Sequence, residues 1–462
     1  MSTKPSIGFC GLGAMGFGMA THLVKQGYPV TGFDVHPPSL TRFQSAGGNA
    51  AGSLSASAQD QAFYMVMVAS EWQVQAALFG KDDGIVAALP RGATLVVCST
   101  VPSGYVERVA RQLAAVGRAD VFLLDAPVSG GVARAADGAL SIMAGAGAAA
   151  MERGTWLLQE LAAPSKLYVV PGGVGAGSNM KMVHQVLAAI HILAASEAYG
   201  LAARLGLHGQ DVFDAVVAGP GWSFMFESRS PRTLTDAYLP SASAITIILK
   251  DTVRGPRANK DEWAAEVRAG WGAADKQTTQ GIITSTARKA AFPASLCSVA
   301  EQVFFSAVDR GWGANDDAGL VRLWTSEPVT RTPSALSAEE KASKLQLIVN
   351  LLVGIHLVSA AEALSLAKRV GIPLPQFYEL ACDAAGGSTM FKEMGKEMMA
   401  VLEGREDGSG SVLGGYAETL KTAAMEAQNV KCPLYLGAAA LDKLLQTGPA
   451  MSLASLLKCY GV

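Results

Sequence analysis

The sequence predicts an α/β domain followed by two tandem all-helical domains, and three observations carry that expectation. From Ser6 to about Val170, short β-rich runs ("SIGFC", "PVTGFDV", "AFYMVMV", "ATLVVCS", "VFLLDA", "LSIMAG", "KLYVV") alternate with helical patterns, as in a doubly wound parallel sheet. After "PGGVGAG" the β-rich runs stop and helical periodicity takes over. The helical part then repeats at a constant offset of 165: Ile190 matches Ile355, His191 matches His356, Glu197 matches Glu362, Arg204 matches Arg369 and Gly206 matches Gly371. The register survives a loop, because "GWSFMF" lies over "GGSTMF" and pairs Ser223 with Ser388, Met225 with Met390 and Phe226 with Phe391. Two Leu/Ala-rich helices can look alike by composition, but a polar register that continues across a turn marks a duplication.

These observations place the sheet domain at residues 1–172, the first helical copy at 173–326 and the second at 333–462, the copies being separated by "TSEPVTRTPSALSAEE". The copies differ in length. Lys250 to Pro293 is 43 positions, whereas the matching Lys421 to Pro433 is 12, so the first copy carries 31 extra residues at about 254–284. An exposed helical excursion and a flap over a site both fit that insertion.

Composition narrows the class. With 462 residues, half of them hydrophobic, the chain can bury a large core. The net charge is −2 from 37 basic and 39 acidic residues, with no basic cluster or aromatic-interleaved stripe, so nucleic acid is not an expected partner. The two most apolar stretches carry His, Glu or Asn mid-run, which fits buried core helices rather than membrane spans. Six scattered cysteines without CxxC spacing predict reduced thiols, with neither a disulfide scaffold nor a metal site. Structure is expected almost from the first residue, which leaves no room for a targeting peptide and makes the cytoplasm the expected compartment.

The chemistry lies in separated motifs. In "GFCGLGAMGFGMATHLVKQG" the turn Gly11, Leu12, Gly13, Ala14, Met15, Gly16 joins a strand to a helix, the context in which GxGxxG binds a dinucleotide. Glycines let the backbone approach a pyrophosphate, and the helix start supplies amide donors and positive potential. Asp34 ends the next strand, 23 positions after Gly11, where a carboxylate binds both adenosine ribose hydroxyls and repels a 2′-phosphate. No arginine follows it directly, so NAD is expected in preference to NADP.

Thr100, in "CSTVPSG", sits at the end of a later strand and either lines the nicotinamide pocket or belongs to a plain strand-ending turn. In "DAPVSGG", Ser129, Gly130 and Gly131 present a hydroxyl and unobstructed amides suited to a substrate carboxylate, although glycine pairs also serve ordinary turns. Lys181, in "GAGSNMK", lies in the early turns of a long helix. Helix-start potential, a nearby oxidised nicotinamide and desolvation would lower its pKa, as a general base on a hydroxyl requires. Taken alone, a lone lysine reads as a surface side chain, and only its company with the glycine motifs reverses that. At the repeat offset Lys181 faces Gln346, and Gln185 faces Asn350.

Together "GLGAMG", "DAPVSGG" and "GAGSNMK" make the chain resemble the β-hydroxyacid (3-hydroxyisobutyrate dehydrogenase-like) family, over the sheet domain and the first helical copy. The resemblance implies a Rossmann domain, Lys181 as catalytic acid/base, Ser129, Gly130 and Gly131 on the substrate carboxylate, Thr100 on the cofactor, and Lys250 of the "KD" pair closing over cofactor and substrate. Most members have asparagine four positions after the lysine; here Gln185 stands there, preceded by His184. "VHQVLAAIHILAASEA" and "GWSFMFESRSP" resemble the L-threonate dehydrogenase-type branch, which implies a four-carbon sugar acid positioned by Gln185 and His184. His191, which recurs as His356, reads as a core histidine.

The expected activity is hydride transfer from a small hydroxy acid to NAD. The rivals are a semialdehyde reductase of the tartronate semialdehyde type and an inactive NAD-binding scaffold. Without a second sheet domain or a second lysine, the second copy is expected to build an interface, the chain being either a homo-oligomer or a monomer with an internal pseudo-dimer.

Overall fold

The computed structural model describes residues 4–238, 241, 243–252, 282–329 and 336–462; the side chains of Lys250, Asp251 and Thr252 are outside that description. The expected insertion therefore lies outside the described residues as far as 281, and so do residues 330–335 of the linker between the helical copies. The chain forms two compact units, Met1–Met182 and Val183–Val462.

The first unit is a sheet of nine strands: β1 (Ile7–Cys10), β2 (Val30–Phe33), β3 (Asn49–Ala50), β4 (Phe63–Val66), β5 (Thr94–Val97), β6 (Phe122–Asp125), β7 (Val128–Ser129), β8 (Leu140–Ala146) and β9 (Ala162–Val169). Its helices are α1 (Ala14–Lys25), α2 (Pro37–Ser45), α3 (Leu54–Ala58), α4 (Glu71–Phe79), α5 (Ile85–Ala88), α6 (Ser103–Ala115), α7 (Gly131–Asp137), α8 (Ala148–Leu161) and the first turns of α9 (Ala176–Arg204). The strand order is β3-β2-β1-β4-β5-β6-β8-β7, with β9 beside β8. Order reverses between β1 and β4, the place where an open sheet leaves a crevice for a ligand.

Period-2 alternation separates the two faces: on β5, Val96 enters one buried core with Phe9 and Leu124, while Leu95 and Val97 enter the other with Tyr64 and Val66. Burial on both faces explains why the strands read as unbroken apolar runs. The sheet departs from all-parallel at one edge. Pairings from β3 through β6 are parallel, whereas β8 runs antiparallel to β6 and to β7, because the chain turns back through α7, between β7 and β8, instead of crossing over.

The second unit is helical: the rest of α9, then α10 (Gly209–Val217), α11 (Phe224–Thr235), α12 (Ile245–Thr252), α13 (Ile282–Lys289), α14 (Ser295–Asp309), α15 (Ala338–Arg369), α16 (Leu374–Asp383), α17 (Thr389–Leu402), α18 (Gly414–Asn429), α19 (Tyr435–Leu445) and α20 (Leu453–Lys458). Its elements recur in order. Ser223 and Ser388, matched by the repeat, cap the equivalent helices α11 and α17, accepting from Phe226 N and Phe391 N. The two caps also face each other. Phe224 N donates to Gly387 O at 2.9 Å and Thr389 N to Trp222 O at 3.1 Å, a reciprocal pair across an internal two-fold. The repeated histidines meet in the same way, the His191 and His356 rings lying 4.4 Å apart by centroid. Helices α9 and α15 are long and apolar enough to cross a membrane by composition, yet their most apolar windows are 94% and 89% buried inside the fold.

The copies exchange caps through the repeated glutamates. Glu197 on α9 accepts from Tyr435 N, Leu436 N and Gly437 N, the backbone amides that start α19 in the second copy. Glu362 on α15 accepts from Leu296 N and Cys297 N at the start of α14 in the first copy. Each copy thus satisfies helix-start donors that the other would leave buried and unpaired. Burial pushes both carboxyls up to about 7, although the backbone donors pull the other way. A native pKa above the ordinary 4.5 means that their contribution to stability is fully present below about 4.5 and is lost as pH rises through about 7. Burial pushes His356 down to about 3, so its contribution is present above 6.5 and is lost as pH falls toward 3.

Removing the Glu197 carboxylate leaves three amides without an acceptor, so Glu197→Ala should cost about 2–4 kcal/mol in urea denaturation. Glu197→Gln should trail the wild type by more at pH 5 than at pH 7.5. Wild-type stability in the alanine variant would refute the exchanged cap.

Candidate functional site

At the turn after β1, Gly11 has φ +93°, and a Cβ there would lie 2.2 Å from Met67 O; a Cβ on Gly16 would lie 1.9 Å from Gly11 O. Only glycine lets the turn fold back on α1 so tightly. Gly13 is the N-cap of α1 without a side-chain cap, and a Cβ there would meet nothing within 4 Å. Leu12, Ala14 and Met15 complete this turn. The amides of the first α1 turn therefore face open space, which is the cradle a pyrophosphate needs. Asp34 closes the neighbouring corner: Oδ2 accepts from Leu12 N at 2.7 Å and Oδ1 from His36 N at 2.8 Å. Val35 beside it is 86% exposed, an apolar surface at the place an adenine would occupy. These residues fit a nicotinamide dinucleotide on their own geometry.

One cation escaped the sequence reading. Nothing basic follows Asp34 directly, but α2 returns Arg42 to the same corner, where its Nη2 donates to Leu12 O at 3.2 Å. Helix geometry, not adjacency, brings it there.

Thr100 is half-buried in the loop that leads from β5 to α6. Its neighbour Ser99 is buried, and Ser99 Oγ accepts from Val68 N at 2.9 Å, tying this strand end to the one after β4.

The residues that precede α7 and those that begin α9 are joined by a carboxylate that sequence reasoning passed over. Asp125, the last residue of β6, is wholly buried. Its Oδ2 accepts from Gly175 N at 3.1 Å and from Ser178 N at 2.7 Å, and its Oδ1 accepts from Ser178 Oγ at 2.6 Å. The start of α9 is thereby capped by the sheet. Burial pushes the Asp125 carboxyl up to about 6, against the bonds from Ser178 and Gly175. Gly177 makes the approach possible: a Cβ there would lie 2.3 Å from Met143 O and 2.7 Å from Asp125 O.

Four residues beyond Asp125 lies Ser129, buried at the end of β7, followed by Gly130 and Gly131 with φ +139° and +74°. A Cβ on Gly131 would meet nothing within 4 Å, so its amide stands at an open surface. On the other arm of the clasp Lys181 follows Ser178 by one turn of α9 and is only 5% exposed. The buried Asp125 thus anchors the start of α9 one turn before Lys181, and the "SGG" residues follow Asp125 in the chain.

The remaining candidates belong to the second unit. His184 is wholly buried, and its Nε2 accepts from Gly386 N of the second helical copy at 3.1 Å, so the neutral ring carries its proton on Nδ1. Gln185 is half-buried. The backbone of Lys250 lies in α12, and its side chain lies outside the described residues. At the equivalent place in the second copy, Gln346 Nε2 donates to Asn350 Oδ1 at 2.9 Å.

A doubly wound sheet with a glycine cradle, a ribose-type carboxylate and a buried lysine defines an oxidoreductase that uses a nicotinamide dinucleotide. A family model described as the NAD binding domain of 6-phosphogluconate dehydrogenase matches residues 6–173, and one described as the NAD-binding domain of NADP-dependent 3-hydroxyisobutyrate dehydrogenase matches 175–254 and 341–454. An L-threonate dehydrogenase of Cupriavidus necator is 34% identical over 69% of this chain and 96% of its own length. The crystal structure of a 3-hydroxyisobutyrate dehydrogenase from Salmonella typhimurium superposes with a TM-score of 0.59 at 31% identity, covering 69% of this chain and all of that one. The chain belongs to the β-hydroxyacid dehydrogenase family, near its threonate branch. A Plasmodium falciparum 6-phosphogluconate dehydrogenase, 14% identical with a TM-score of 0.63, covers 95% of this chain and 91% of that one, and so shares the fold through both helical copies.

Removing the clasp with Asp125→Ala should speed amide exchange over residues 175–182, with a loss of about 1–3 kcal/mol of local protection. Exchange unchanged in that segment would show that Asp125 does not hold the helix start.

Proposed function

We propose that this protein is an NAD-dependent dehydrogenase that oxidises a hydroxyl of a small hydroxy acid, a four-carbon sugar acid such as threonate being the favoured substrate. The observation that carries this reading is the clasp at the start of α9: Asp125, four residues before Ser129 in the chain, holds Gly175 and Ser178, one turn before the buried Lys181. When bound, the oxidised nicotinamide supplies the hydride acceptor for the carbinol C–H. Lys181 accepts the hydroxyl proton, and its burial keeps competing water away from that transfer. The Ser129 hydroxyl and the amides of Gly130 and Gly131 hold the substrate carboxylate and so choose which carbon meets the base. Gln185, one turn beyond Lys181, bonds the further hydroxyls, and His184 supports that turn. Thr100 bounds the nicotinamide side, and Lys250 closes over cofactor and substrate, as the family resemblance implies. Asp34 favours NAD by repelling a 2′-phosphate.

Similarity to the Cupriavidus necator enzyme, whose name specifies L-threonate, supports the substrate assignment. The second helical copy takes the place of a partner's helical domain, with the chain acting in the cytoplasm as a monomer built around an internal pseudo-dimer.

Lys181→Ala should leave NADH binding nearly intact while lowering turnover roughly 10²–10⁴-fold, measured on a panel of three- to five-carbon hydroxy and sugar acids with NAD and NADP separately. Unchanged turnover would remove the lysine from its role, and a clear preference for 3-hydroxyisobutyrate over every four-carbon acid would remove the substrate assignment.

A further inference from the structure

We propose that Arg42 is a second determinant of cofactor choice, a 2′-phosphate contact that Asp34 holds in check. The proposal rests on reading the turn Gly11–Gly16 as the dinucleotide cradle. Two opposite charges meet on one residue of that turn: Asp34 Oδ2 takes the Leu12 amide at 2.7 Å, and Arg42 Nη2 donates to the Leu12 carbonyl at 3.2 Å. The guanidinium is held in plane by the Phe17 ring, whose centroid lies 3.7 Å from its central carbon. A guanidinium has five N–H donors in a fixed fork, and the bond to Leu12 uses one of them on an exposed side chain. Two further polar side chains stand on the same rim, His36 Nδ1 lying 3.3 Å from Ser39 Oγ.

A ribose diol at this corner finds an acceptor in Asp34. A 2′-phosphate there meets that carboxylate and also a preorganised, phosphate-compatible fork, which is the group most often used for planar bidentate recognition of phosphate. Preference for NAD is then the outcome of a contest between two side chains rather than of a carboxylate acting alone. Neutralising Asp34 leaves Arg42 unopposed. Asp34→Asn is the appropriate change, because its one amide oxygen can still accept from Leu12 N while the charge is gone, at the cost of the bond from the exposed His36 N.

NADH and NADPH are titrated into the full chain by nicotinamide fluorescence, without substrate, at low and high salt. Asp34→Asn should tighten NADPH binding about tenfold or more, the worth of a charge-assisted bond to phosphate. Adding Arg42→Ala to that variant should erase the gain to within about twofold, while NADH affinity moves little. Arg42→Gln, which keeps a donor for Leu12 O but carries no charge, should behave like the alanine variant and guards against a folding artefact. The gain should also shrink at high salt.

An equal gain with and without Arg42, or no gain from Asp34→Asn, overturns this proposal alone. A wild-type chain that binds neither dinucleotide overturns the cradle reading and this inference with it.

Discussion

The site depends on one buried carboxylate that closes the start of a long helix. Asp125 brings a negative charge into the interior at the sheet edge, where the two amides and one hydroxyl of Gly175 and Ser178 are its partners. A buried, half-satisfied carboxylate would be costly, so helix and strand end can be released only together. Close backbone approach reinforces the bond, since a side chain at Gly145 would lie 2.5 Å from Gly173 O and one at Gly177 would lie 2.3 Å from Met143 O. Lys181 follows Ser178 by three residues on α9, so the backbone that carries it starts from this junction.

The second copy shows the same helix without that dependence. Where α9 is capped by a residue of the sheet, α15 begins in its own capping box, Ser337 accepting from Glu340 N and Glu340 accepting from Ser337 N. Such a helix needs no sheet domain to start it. The position of Lys181 is then filled by Gln346, paired within the helix to Asn350. What the two copies retain in common is what joins them: the facing serine caps, the paired histidines and the glutamates that each close a helix of the other.

Much of this was legible in the sequence because it is written in local periodicity. The glycine turn, the β-rich runs and the duplicated polar register all have fixed spacings, and the matched pairs Glu197/Glu362 and His191/His356 could be picked out by offset alone. Their partners could not, because a carboxylate that caps a helix 238 positions away leaves no spacing signal. The reversal of β8 was hidden for a similar reason: a strand buried on both faces has the same pattern whichever way it runs. Asp125 stood in a quoted motif yet had no mark to separate it from an ordinary strand-ending residue, and Arg42 reached the Asp34 corner only by the turning of α2. The burial of His184 and its bond from Gly386 N, 202 positions away, likewise left no spacing signal.

The central claim is that a placed amine at position 181 takes a proton from the substrate. Turnover by Lys181→Gly in the presence of small primary amines of graded basicity tests it most directly. Restored oxidation that rises with the pKa of the added amine is the result this account predicts; a variant that no amine restores, while still binding NADH, would contradict it.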